Sequence, residues 1–205
     1  MDDKYLTIID NGAEGFYSEK RSRFLAFAHH VETEDEVKNI VANYRKRFFD
    51  ARHVCYAYVL GYDASRTRAN DDGEPSGSAG LPIQRQLRSC GITFALVVVV
   101  RYYGGINLGT GGLVVAYKTA AAEALSASTV EERFVKNTAT LTVPYQGVDK
   151  VMKILRENEA EILDRSYDAT ATILSIQFRI SRQNLIIQKI ENLRLDVSIE
   201  VDEIA

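Results

Sequence analysis

"ITFALVVVVRYY", residues 92–103, is the stretch on which the fold turns. Its four consecutive valines, Val97 to Val100, leave no polar position in either phase of a two-residue repeat. A strand of this kind has both faces covered, so it reads as the centre of a sheet clad by helices. The run is far shorter than the ~20 residues needed to span a bilayer. Downstream, residues 104–112 read GGINLGTGG, and the alanine-rich stretch Leu113 to Leu125 reads as a helix. Upstream, Leu81 to Ser89 reads as a short helix ended by Gly91, after a polar, turn-rich stretch from Gly61 to Gly80. HVCYAYVL, residues 53–60, is a second strand with two buried faces, and Phe24 to Val31 is another. Between these two, Thr33 and Glu36 stand at capping-box spacing ahead of Val37, Ile40, Val41, Tyr44 and Phe48, which recur at helical intervals.

The last third changes character. Thr138 to Val143 is a strand closed by Pro144. Val148, Val151, Met152 and Leu155 mark an amphipathic helix, and residues 160–168 and 171–180 read as strands. Ile186, Ile190 and Leu193 mark another helix, and residues 195–202 alternate apolar and polar as a half-buried strand. The order is β-α-β-β-α-β, the split, ferredoxin-like pattern. The expected class is therefore α+β, with an N-terminal domain over residues 1–132 and a ferredoxin-like domain over 137–205.

The chain has 205 residues, 46% of them hydrophobic, and a net charge of −3. Residues 1–136 hold 17 basic and 17 acidic side chains, and residues 137–205 hold 8 and 11. There is no global positive field, so any basic surface is local and sequence-specific DNA binding is not expected. Cys55 and Cys90 are far apart in sequence and in no metal or redox spacing. No signal-peptide or membrane pattern is present, so a cytoplasmic protein without membrane contact is expected.

Several stretches bear on chemistry. A strand, a glycine-rich turn and a helix start, as at Tyr103 to Gly112, can cradle a phosphate on free N–H groups. Gly104 and Gly109 have the outer spacing of a Walker A loop, but its lysine is missing and Thr110 follows Gly109 directly. The glycines equally suit tight turns and close strand–helix packing. Ser76-Gly77-Ser78-Ala79-Gly80 misses the nucleophile elbow by one glycine and follows a loop rather than a strand. Asp71, Asp72 and Glu74 could offer oxygen ligands to Mg²⁺, yet such a trio more often caps helices or is solvated. His29, His30 and His53 lack zinc-site spacing, and His53 and Cys55 share one side of a strand. No metal and no cofactor is expected. Basic residues recur through the first two thirds, among them Arg52, Arg66, Arg68, Arg85, Arg88 and Arg101, with tyrosines interleaved. That mixture suits RNA backbone contact and base stacking, if the residues share a face.

The stretches NDDGEPSGSAGLPI, residues 70–83, and VVVVRYYGGINLGTGGLVVAYKTAAAEAL, residues 97–125, resemble the signature of the YigZ/Impact family. The likeness runs from about Tyr17 to Leu125. Asn107 stands where the family usually has lysine, and Leu81 replaces a common arginine. The resemblance implies an N-terminal domain like domain IV of elongation factor G, a two-layer fold shared with a small-subunit ribosomal protein, followed by a ferredoxin-like domain. It implies a non-enzymatic protein that contacts RNA, the ribosome or a translation-associated protein. On that reading the RNA- or anion-binding residues are Arg66, Arg68, Arg101, Tyr102, Gly104, Gly105, Gly109, Thr110 and Gly111. Asp71, Asp72, Glu74, Ser76, Ser78 and His53 would support them, and Ser76 or Ser78 could cap the helix from Leu81. The alternative is a small-molecule enzyme that binds an anionic substrate between the acidic loop and the glycine-rich turn. In both readings, two segments distant in sequence must meet.

Overall fold

The computed structural model describes residues 3–202 and is a mixed α+β protein, as expected. The outermost residues of the expected domains, 1–2 and 203–205, lie outside the described residues. The chain divides into two compact units, one of residues 5–133 and one joining Asp3 and Lys4 to the described residues from Phe134 on.

The first unit is built on β2 (Asn11–Glu19), β3 (Ser22–His30), β4 (His53–Leu60), β5 (Arg66–Asn70) and β6 (Ala95–Tyr102). They form one antiparallel sheet in the order β2-β3-β6-β4-β5, so the valine strand is central. Val97 to Val100 are fully buried, each contributing about 1.5–3 kcal/mol of apolar burial. Alternate residues of the strand serve two cores. Val98 and Val100 pack with Val54, Tyr58 and Leu60 under α1 (Glu34–Arg47). Val97 and Val99 pack with Cys55, Ala57 and Val59 under α2 (Gly80–Ser89) and α3 (Gly109–Ser126). The unit therefore carries helices on both faces of its sheet. A separate two-stranded ribbon pairs β1 (Lys4–Ile8) with β7 (Val130–Phe134).

Local chemistry explains the element ends. Thr33 Oγ1 accepts from the Glu36 N–H at 3.2 Å, and the Glu36 carboxylate accepts from the N–H of Glu32 at 2.8 Å. The capping box thus closes one residue earlier than its usual form. β6 starts three residues after the expected Ile92, because Phe94 adopts a positive φ of 52° and breaks the strand. β5 lies inside the stretch read as loop. Its sequence, RTRAN, carries no apolar alternation and it pairs on one side only, with β4. β2 is equally silent in the sequence. Its Gly15 allows α3 to approach so closely that a Cβ there would overlap the backbone of Ala124. The face of α3 that makes this approach is built of Ala116, Ala120, Ala121 and Ala124, all fully buried.

The second unit follows the order β8 (Lys136–Pro144), α4 (Val148–Glu157), β9 (Glu161–Tyr167), β10 (Ala171–Arg179), α5 (Gln183–Glu191) and β11 (Ser198–Val201). Its antiparallel sheet has the order β11-β8-β10-β9, the arrangement of a split β-α-β fold. Leu141, Val143, Leu174 and Ile176 pack there against Val151, Leu155, Ile186 and Ile190. Asp3 receives Nη2 of Arg179 at 2.7 Å and Nε at 3.1 Å. That guanidinium, with Ser181, holds the Asp3 carboxyl well below the usual carboxylate range.

Candidate functional site

The two-residue period of β4 and β6 decides what the site contains. His53 pairs with Arg101 across the two strands. Both stand on the α2/α3 side of the sheet, in phase with Cys55 and Val99. The acidic loop after β5 crosses this end and delivers Glu74, whose side chain is 3% exposed. Arg101 Nη1 donates to Glu74 Oε1 at 2.6 Å, and the Tyr117 hydroxyl of α3 donates to the same oxygen at 2.7 Å. His53 Nε2 lies 3.8 Å from Glu74 Oε2. His53 Nδ1 lies 2.7 Å from the carbonyl oxygen of Asp72. A carbonyl only accepts, so Nδ1 carries the proton.

Behind this cluster Cys55 Sγ lies 3.3 Å from the Tyr117 hydroxyl and 3.0 Å from the carbonyl of Asp71. Burial pushes the Cys55 thiol up, and burial with the neighbouring Cys55 and Glu74 pushes the Tyr117 hydroxyl up. Both stay protonated at neutral pH. In front of the cluster opens a cleft of about 540 Å³, lined by Arg52, His53, Glu74, Arg101, Tyr103 and Thr110 among others. The amino end of α3 forms part of its wall, and no side chain caps that end.

The acidic loop and the glycine-rich turn therefore meet in one cleft. Within the loop the three acids take separate structural partners. Asp71 Oδ1 accepts from the N–H groups of Ala79 at 3.0 Å and Gly80 at 2.8 Å, and Oδ2 accepts from Gly77 at 2.8 Å. It is this carboxylate that caps α2, not Ser76 or Ser78. Ser78 instead donates to the Pro75 carbonyl at 2.6 Å, and Ser76 is exposed. Asp72 accepts from the Val54 N–H at 2.7 Å and from Arg45 at 2.6 Å. Among the described residues no three His, Cys, Asp or Glu side chains come together as a metal site.

The other sequence-derived residues separate by face. Thr110 lines the cleft and Gly109, with φ of 72°, leads into α3 beside it. Gly105 and Gly111 stand in open space, Gly105 at φ of 85°. Gly104 is a packing residue, since a Cβ there would overlap the backbone of Arg21 and Ser22. Arg101 does not offer a free cation, because Glu74 takes it up. Arg66 and Arg68 pair with Leu60 and Tyr58, and so stand on the α1 side of the sheet. Tyr102 also faces that side, with its hydroxyl donating to Asp50 at 2.9 Å. These three do not share the cleft with Arg101. Six lining residues lie outside the sequence-derived set, namely Arg52, Pro75, Tyr103, Asn107, Leu108 and Leu113, and two of these bear on recognition. Arg52 is an exposed cation with no side-chain partner among the described residues. Tyr103, 47% exposed, stands at the lip with the Arg101 guanidinium 5.5 Å from its ring centre.

Comparison with known proteins fits this geometry. The Impact N-terminal domain family matches residues 20–125, which contain every residue of the cleft. The IMPACT family member YvyE of Bacillus subtilis is 37% identical over 155 residues, covering 76% of this chain and 71% of that protein. The IMPACT family member YigZ of Escherichia coli is 38% identical over 152 residues, covering 73% and 74%. A crystal structure described as that of a hypothetical protein superposes over the full length of both chains, with a TM-score of 0.72 and 30% identity. A second crystal structure, of a Thermus thermophilus protein, has 8% identity and a TM-score of 0.53, covers 98% of this chain and 29% of that one, and shares the fold alone. No helix among the described residues is long and apolar enough to cross a membrane. This chain belongs to the IMPACT family, and the cleft lies within its Impact N-terminal domain.

Proposed function

We propose that the protein is a non-catalytic, translation-associated binding protein that contacts RNA, the ribosome or a translation factor through this cleft. The cleft receives an anionic group, a phosphate above all. One observation carries the reading: an unpaired cation, Arg52, and the uncapped amino end of an 18-residue helix face the same cleft. Free N–H groups and a cation together form an anion cradle. The polar groups behind it are engaged with one another. Glu74 accepts from Arg101 and Tyr117, and Cys55 is buried and protonated. A site whose carboxylate and thiol are so engaged has neither a free base nor a nucleophile in them, which favours binding over chemistry.

The test is co-sedimentation with ribosomes and capture of RNA from lysate, with and without ribonuclease, at two salt concentrations. The parent should recover RNA or ribosomes, less at high salt. Arg52→Glu should recover markedly less. Recovery of no macromolecule by the parent would overturn the proposal in favour of a small-molecule enzyme. One observation speaks for that second reading: His53, with its Nδ1 proton fixed, leaves Nε2 beside Glu74 at the cleft.

A further inference from the structure

The layer formed by α2 and α3 has an outer groove of about 360 Å³ lined by Pro82, Arg85, Gln86, Ser89, Val114 and Lys118. Pro82, Arg85, Gln86 and Ser89 fall at i, i+3, i+4 and i+7, a single stripe of α2. Val114 and Lys118 face them from α3 at i, i+4. Arg85 and Lys118 have no ion-pair or hydrogen-bond partner among the described residues. Arg88 adds a further cation to α2, and Glu123 is the one acid on either helix. This is a local basic strip in a chain of net charge −3.

The groove and the cleft both open beside α3. Thr110 and Leu113 of α3 line the cleft, and the next residue on the helix, Val114, lines the groove. From Thr110 to Lys118 the helix rises about 12 Å, at about 1.5 Å per residue. A stacked strand rises about 3.4 Å per nucleotide, so this length matches about three to four nucleotides.

Resting on the proposed anion-binding function of the cleft, we propose that its partner is single-stranded RNA, whose phosphate backbone runs from the cleft along the α2/α3 groove over Arg85 and Lys118. Charge complementarity selects a polyanion. The two cations that line the groove, Arg85 and Lys118, suit one row of phosphates rather than the two rows that a duplex presents. The half-exposed ring of Tyr103 at the cleft supplies a stacking surface that an unpaired base can use and a paired base cannot.

The experiment is fluorescence anisotropy of the full chain with a labelled oligouridylate of about 12 nucleotides, titrated at several salt concentrations between about 50 and about 200 mM. Each phosphate contact adds about 0.7 to the slope of log affinity against log salt for a single strand. Arg85→Glu/Lys118→Glu should lower that slope by about 1.4 and weaken binding at least about tenfold at the low-salt end. Lys150→Glu/Lys153→Glu on α4, in the other compact unit, changes net charge equally and should leave the slope unchanged. An unlabelled blunt RNA duplex should compete poorly. If the parent binds with an Arg52-dependent slope but the Arg85/Lys118 variant binds alike, the groove is not the track, while the cleft reading stands. An equal loss in the α4 control, or strong competition by duplex, also overturns the inference. If the parent binds no oligouridylate and recovers neither RNA nor ribosomes from lysate, the function proposed for the cleft falls with it.

Discussion

Glu74 and Arg101 are the place to test whether the cleft is held by a buried ion pair. Their side chains are 3% and 7% exposed, and one oxygen of Glu74 receives both Arg101 and Tyr117. A surface pair of this kind would contribute about 0–1 kcal/mol. Removing one member of a buried pair instead strands its partner's charge, at a cost of about 3–5 kcal/mol. Glu74→Gln keeps the shape and removes the charge, and Arg101→Met keeps much of the length. Each single variant should lose about 3 kcal/mol or more. The double variant strands no charge, so it should lose much less than the sum, with a coupling of at least about 2 kcal/mol. At about 2 kcal/mol per molar urea, each single change should lower the unfolding midpoint by about 1.5 M. Tyrosine fluorescence is the fitting probe, because nine of the 11 tyrosines lie within residues 5–133 and the chain has no tryptophan. Single losses below about 1 kcal/mol, or additivity within about 0.5 kcal/mol, would refute the claim that this pair is a coupled, desolvated unit.

Other consequences follow from single residues. Gly104→Ala should destabilise the first unit by several kcal/mol, on the order expected for overpacking against backbone, whereas Gly111→Ala, which meets open space, should shift the urea midpoint little. His29 is buried against the Tyr44 hydroxyl at 2.8 Å, and burial lowers its pKa. Its folded-state value lies below the unfolded value of about 6.5, so its contribution is complete above that pH and is lost as pH falls toward the folded value. Thermal melts by tyrosine fluorescence at about pH 7.5 and about pH 5 should show a larger acid-side drop for the parent than for His29→Gln, and equal drops would contradict the assignment. With an aromatic disulfide reagent, the native protein should release one thiol equivalent rapidly, from exposed Cys90, and a second only on denaturation, from Cys55. Rapid release of two would show that the core behind the cleft is open.

The parts of this fold that the sequence declares are those with strong apolar patterning. β4 and β6 follow from apolar runs without a polar phase, α1 and α4 from apolar residues at helical intervals, and α2 from the glycine that ends it. β2 and β5 do not, because NGAEGFYSE and RTRAN lack alternation. Each lies at a sheet edge, β2 bonded to β3 alone and β5 to β4 alone, and the residues that pack inward are mostly small, Ala13 and Gly15 on β2 and Ala69 on β5, so no strong apolar phase marks them. Both functional readings of the sequence require the acidic loop and the glycine-rich turn to meet, as they do, but neither reading fixes the membership of the cleft. It depends on strand phase. Arg101 and Tyr102 are neighbours in sequence and lie on opposite faces of the sheet. Arg66 and Arg68 share the phase of Tyr102, not of Arg101, and that phase is set by pairing with β4, a strand neighbour unknown from the sequence. Arg52 stands out only once the β3-β6-β4 order places the start of β4 beside the end of β6.

The loop "DDGEPSGSAG" contains no large apolar side chain, and its three carboxylates tie it to the rest of the unit instead. Asp71 ties it to the start of α2, Asp72 to β4 and α1, and Glu74 to β6 and α3. Each acid reaches a different element, so the loop is fixed at three points by directed, charge-assisted bonds instead of by burial of hydrocarbon. Directed bonds set orientation as well as position, which a cleft wall needs and a hydrophobic contact does not provide. The ordering entropy of these residues is met when the chain folds, so on the proposed function a partner entering the cleft finds its loop wall and the amino end of α3 already in place. In a chain without net positive charge, affinity for an anion must come from such local placement. Field lines from the acids elsewhere are screened within about 8–10 Å at physiological salt. On the proposed function, the short-range geometry of the cleft, rather than long-range attraction, therefore sets binding, and rearrangement of the loop should weaken it even where every cation is retained.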